Sequence, residues 1–153
     1  ETDLETGVID ATTAPEMRAT PLLEDRWIAV VRAGHTLAKG GMTPTLYAAE
    51  GHILVERRGL HGNEIDAAIR SAGVERRIVA VVSGFSSAVA LARQTDLVAT
   101  VPARHTEGLR QDLVALELPV DVAAFTVSML WHPRMDGDQA HRWLRGCLRK
   151  VCR

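Results

Sequence analysis

Three apolar runs constrain the fold of this chain: His52-Ile53-Leu54-Val55, Ile78-Val79-Ala80-Val81-Val82 and Leu97-Val98-Ala99-Thr100-Val101. None alternates polar with apolar residues, so a strand built from any of them needs cover on both faces. Two segments of helical periodicity separate them. Ile65, Ala68, Ile69 and Ala72 share one helical face, as do Phe85, Ala88, Val89 and Ala92. Gly73 follows the first as a stop, and Pro102 ends the third run. Buried strands alternating with helices of about ten residues predict a parallel β-α-β-α-β block, joined by right-handed crossovers.

The flanks read less regularly. Leu4 to Ile9 is a short strand, followed by a loop from Asp10 to Pro15. Trp27 to Val31 is a continuous apolar strand stopped by Gly34. Thr43-Pro44 reads as a cap with proline at the first helical position, opening a short helix to Ala49. Leu113 to Leu118 and Ala123 to Trp131 are two further strands split by Pro119. Asp136, with Gln139 three residues on, has the pattern of a capping box for a last helix. On that helix Ala140, Trp143, Leu144, Cys147, Leu148 and Val151 form one apolar stripe, opposite Arg142, Arg145 and Arg149.

Composition narrows the function. The 153 residues are 46% hydrophobic, enough for a real core. Basic and acidic side chains number 18 and 19, a net charge of -1, so this segment has no surplus of cations for duplex DNA. No run approaches the ~18 apolar residues of a membrane span, and no signal peptide opens the chain. Cys147 and Cys152 lie five apart on one helix, roughly 8 Å between Cα atoms, too far for a bridge. Two reduced thiols fit a cytosolic protein. The histidines lack paired spacing, no C-x-x-C occurs, and neither a P-loop nor a dinucleotide fingerprint is present, so no metal or cofactor is expected. The chain starts at Glu1 in strand-like sequence and reads as an excerpt.

In order, these landmarks resemble the sensor region of LysR-type transcription regulators. The resemblance rests on Asp3-Leu4-Glu5-Thr6-Gly7, on Pro21 to Val31, and on the turn Ala33-Gly34-His35-Thr36-Leu37-Ala38, where Thr36 stands at the family's usual proline. It continues through Thr43 to Ala49, the β-α-β-α-β block, Thr95 to Pro102, Trp131-His132-Pro133-Arg134 and Ala140 to Arg145. The resemblance implies an α/β fold like the type 2 periplasmic binding proteins. Two lobes would be joined by two crossing strands, Arg26 to Arg32 and Leu113 to Leu118. Residues 34–109 would form one complete lobe, and residues 1–33 with 110–153 part of the other. It further implies a homodimer or homotetramer that meets promoter DNA through a winged helix-turn-helix outside this chain.

Ligands of open α/β sheets collect at the carboxyl ends of parallel strands, where helix N-termini favour anions. Two loops lie there. Arg57 to Asn63, with Leu60, His61, Gly62 and Asn63, follows the first strand of the block. Ser83, Gly84, Phe85 and Ser86 follow the second. The resemblance places effector contacts in both, and Thr100, Val101, Pro102 and Asp10 should border the same cleft. The expected ligand is a small anion. Alternatively, Asn63, Ser83 and Ser86 are only helix caps, worth about 1 kcal/mol each, and His61 is a plain loop histidine. A stand-alone solute-binding protein shares the fold. An enzyme reading also exists: Gly84-Phe85-Ser86-Ser87-Ala88 nearly spells the hydrolase elbow, with Ser86 as nucleophile, Asp121 as orienter and His132 or His141 as base. It lacks the final glycine and any oxyanion loop, so no catalytic residue is expected.

Overall fold

The computed structural model of the chain describes residues 3–56 and 63–152, with Asn63 described in its backbone only. The elements run β1 (Leu4–Gly7), β2 (Arg18–Asp25), β3 (Trp27–Arg32), α1 (Pro44–Ala49), β4 (Gly51–Val55), α2 (Asn63–Ser71), β5 (Arg77–Val82), α3 (Phe85–Gln94), β6 (Val98–Pro102), β7 (Leu113–Glu117), β8 (Phe125–Trp131) and α4 (Gln139–Val151). They form two compact units, Glu1–Asp25 with Ala124–Arg153, and Arg26–Ala123.

The larger unit is a five-stranded sheet in the order β5-β4-β6-β3-β7. β4 pairs in parallel with both β5 and β6, as the three apolar runs predict. β3 joins antiparallel to β6 on one side and β7 on the other. Successive side chains of β3 point to opposite faces, and both faces are covered. Ile28 and Val30 pack with Phe85, Ala88, Val89 and Ala92 of α3. Ala29 and Val31 pack with Tyr47 of α1 and with Ile65 and Ile69 of α2. Two-sided burial is the reason β3, β4 and β6 show no alternation. The β5 run departs from the expectation of cover on both faces, because it is the edge strand and leaves Ile78, Val79 and Val81 exposed.

Local signals account for the element ends. The Thr43 hydroxyl accepts the Leu46 N–H at 3.2 Å, with Pro44 in the first turn. Gly73 takes φ 80° and stops α2. Gly51 is required by space: a Cβ there would stand 2.7 Å from a Leu97 methyl and 2.9 Å from a Val79 methyl.

The smaller unit holds a three-stranded antiparallel sheet in the order β1-β8-β2, with α4. Here the structure departs from the sequence expectations. β2 is an eight-residue strand that the apolar pattern does not announce, because it carries Arg18, Pro21, Glu24 and Asp25. It lies at the sheet edge, and its register with β8 shifts between Pro21 and Leu23; edges and bulges are where a sheet tolerates proline. β1 ends at Gly7 rather than Ile9, and β8 starts at Phe125 rather than Ala123.

The cap of α4 is Asp138, whose carboxylate accepts the His141 N–H at 2.7 Å. Asp136 instead accepts the Trp131 indole N–H at 2.6 Å. The helix is also rotated away from its apolar stripe, of which only Cys147 and Leu148 are half-buried. His141 and Arg145 are buried, whereas Trp143 is 71% and Val151 82% exposed. The buried pair is satisfied locally: His141 Nε2 bonds the Asp3 carbonyl at 2.9 Å, and Arg145 lies over the Trp131 ring, bonding His141 Nδ1 and the Met135 carbonyl. Both cysteines are free.

The strands expected at Arg26 to Arg32 and Leu113 to Leu118 are β3 (Trp27–Arg32) and β7 (Leu113–Glu117), which pair with each other in the five-stranded sheet.

Candidate functional site

The carboxyl ends of β4, β5 and β6 lie on one edge of the five-stranded sheet, because all three run parallel. Of the expected residues on this edge, Leu60, His61 and Gly62 lie outside the described residues. Asn63 begins α2, and its side chain is likewise outside them.

The loop after β5 is described in full. Gly84 is the N-cap of α3, and no side chain caps that helix. Ser83 and Ser86 are therefore not its capping residues, and the α3 N-terminus carries no side-chain acceptor at its cap. An open depression of about 510 Å³ lies here, lined by Glu56, Val81, Val82, Ser83 and Ser87. Ser87 lines it where the sequence had singled out Ser86, one residue earlier and also exposed. Phe85 points the other way. Its ring is buried between Trp27, at 5.9 Å between centroids, and His105, at 5.7 Å.

Residues of β6 divide by the strand alternation. Val101 is wholly buried in the core with Ile28 and Phe85, and Pro102 stands opposite Trp27 in the ladder. Thr100 faces a second, smaller cavity of about 20 Å³, lined also by Trp27, Ile53, Val55, Phe85 and Arg76. Its hydroxyl bonds the Tyr47 hydroxyl at 2.5 Å. Asp10 belongs to the other unit, where its carboxylate accepts the Thr12 N–H at 2.7 Å and hydroxyl at 2.6 Å in a tight turn.

Behind Thr100 sits a buried polar cluster that sequence reasoning missed. Arg76 Nε donates to Asp66 at 2.5 Å, with the arginine side chain only 2% exposed. Burial works against the Arg76 charge, but Asp66 and the Tyr47 hydroxyl hold it and raise its pKa above the usual value. Burial also pushes the Tyr47 hydroxyl up. His52 is fully buried and donates from Nε2 to the Tyr47 carbonyl at 2.7 Å. Its pKa falls to about 4, chiefly because burial penalises the charged ring. No local signal marks these residues: Arg76 precedes another arginine, and Tyr47 and Thr100 are far apart in the chain.

The hydrolase assignment finds little support in the histidines. Both ring nitrogens of His141 are engaged, and His132 Nδ1 accepts the Arg134 N–H of its own turn. Among the described residues no cluster of His, Cys, Asp and Glu could hold a metal, and no helix is long and apolar enough to cross a membrane.

Residues 5–153 match the LysR substrate binding domain. The chain belongs to this family. It is similar to the HTH-type transcriptional regulator LinR of Sphingobium indicum, 33% identical over 158 aligned residues that cover 97% of this chain and 52% of LinR. Among solved structures it superposes on the regulatory domain of MexT, a transcriptional activator in Pseudomonas aeruginosa, with TM-score 0.80 and 25% identity over 97% of this chain and 73% of that one. The effector-binding domain of QuiR in complex with shikimate shares the fold, with TM-score 0.75 and 14% identity over 98% of this chain and 71% of that one. The chain spans about half the length of LinR and of other curated relatives it matches. The LysR substrate-binding domain is a regulator's ligand-binding part, so the two cavities at the strand ends acquire a functional context.

Proposed function

We propose that this LysR substrate-binding domain senses a small anionic effector at the carboxyl edge of β4, β5 and β6, and acts by binding alone, without chemistry. The observation that carries the reading is the α3 N-terminus: it has no capping side chain, and Ser83 and Ser87 line an open depression beside it. The first N–H groups of a helix point outward without helical partners, and its dipole favours negative charge there. Glu56, on the same depression, limits the anion to the side of the serines. QuiR, a fold neighbour, holds shikimate, which carries a carboxylate.

In this reading the domain works in the cytosol as part of a homodimer or homotetramer, and promoter DNA is met by another region of the regulator. The effector would bias the arrangement of two lobes, a reading supported by the division of the chain into two units at 25/26 and 123/124. Such a bias requires different affinity for the two arrangements.

Ser87→Asp tests the site. A carboxylate in the first turn of α3 stabilises the helix through its dipole, so a lost response is not lost folding. It also occupies the place of the anion. In a full-length regulator carrying this domain, the variant should abolish effector-induced promoter activity at unchanged protein abundance. An unchanged dose response would remove this loop from the effector site.

A further inference from the structure

The cavity of about 20 Å³ behind Thr100 is walled by Trp27, Ile53, Val55 and Phe85, with Arg76 as its one charged lining residue. The volume suits one water or the terminal atoms of a ligand head group, not a whole ligand. Arg76 reaches it with its charge partly spoken for. Nε is paired with Asp66, and the guanidinium faces the Tyr47 hydroxyl. Nη2, however, is buried and has no hydrogen-bond partner among the described residues. A buried donor without an acceptor costs most of the desolvation of that group, and such a donor in a native fold calls for a partner that arrives from outside.

We propose that Arg76 anchors the effector: one oxygen of a carboxylate or similar oxyanion enters this cavity and accepts a hydrogen bond from Nη2. That oxygen enters beside Trp27 and Phe85, whose rings meet edge to face at 5.9 Å, so the ligand carbon next to the oxyanion meets apolar walls. This rests on the effector-site reading above and adds the ligand class, a small organic acid with an apolar carbon next to its oxyanion. Asp66 competes with the ligand for the same guanidinium, and its side chain is 27% exposed, so it remains hydrated when Arg76 turns to the ligand.

The test is an NMR titration of the chain with propanoate and with its neutral isostere propanamide, following Trp27, Thr100 and Ser83 to Ser87. Propanoate should shift the Trp27 indole and Thr100 amide signals saturably, and propanamide should not. Arg76→Gln should weaken propanoate binding about tenfold or more, as for a lost hydrogen bond to a charged group. Asp66→Asn, which keeps the cation and removes its competitor, should strengthen it. Equal response to both probes, no response at Trp27 and Thr100, or unchanged affinity in both variants would overturn the proposal. Saturable shifts at Ser83 to Ser87 that persist in Arg76→Gln would leave the effector site standing and take Arg76 out of it.

Discussion

His52→Gln should flatten the acid limb of this domain's stability curve. His52 is fully buried, and its pKa falls from 6.5 to about 4 because burial disfavours the charged ring. The folded state thus binds fewer protons than the unfolded state between those values. Its contribution is complete above pH 6.5 and is lost as pH falls towards 4. At 1.36 kcal/mol per unit, the drop corresponds to about 3 kcal/mol across that window. Glutamine does not titrate there and can still donate to the Tyr47 carbonyl. Carboxylates also titrate in this range, so the informative quantity is the difference between the two proteins. Urea unfolding from pH 7 to pH 4 should show the gap between wild type and His52→Gln narrowing by about that amount or reversing in favour of the variant. Parallel curves would mean that the ring is not desolvated as its burial implies.

Three further outcomes follow from packing. Gly51→Ala should cost roughly 1–3 kcal/mol by denaturant unfolding, since the new methyl meets Leu97 at 2.7 Å and Val79 at 2.9 Å at the start of β4; a neutral result would mean both side chains yield freely. Asp138→Ala should cost about 1 kcal/mol through the lost cap of α4, and an equal loss of helicity on Asp136→Asn would restore the earlier cap assignment. Trp143→Ser should cost less than about 1 kcal/mol, because the side chain is 71% exposed; a loss of several kcal/mol would place Trp143 in a core.

What the sequence reveals depends on whether a residue's environment is local. The parallel block was readable because β4 and β6 are covered on both faces and need apolar residues throughout, while β5 keeps an apolar run although it lies at the sheet edge with Ile78, Val79 and Val81 exposed. Thr43 and Gly73 act within a few residues of themselves, so their caps were readable too. β2 was hidden, since an edge strand with a bulge accepts the Pro21 and charged residues that elsewhere argue against a strand. For α4 the periodicity was visible but the facing was not. Its orientation is set by long-range bonds, from His141 to the Asp3 carbonyl and from Arg145 to the Trp131 ring. The same holds for the site. Strand ends and a serine-glycine loop identify the edge, whereas the Arg76, Tyr47, Thr100 and Asp66 cluster exists only once the sheet has formed.

The most direct test of the sensing role is a map of backbone amide shifts as the chain is titrated with a panel of small organic acids. The account predicts that at least one acid shifts Ser83 to Ser87 together with Thr100 and Val101, saturably, while its neutral amide does not. Saturable shifts confined to residues 3–25 and 124–152, or no saturable shift at the carboxyl ends of β5 and β6 with any acid, would contradict it.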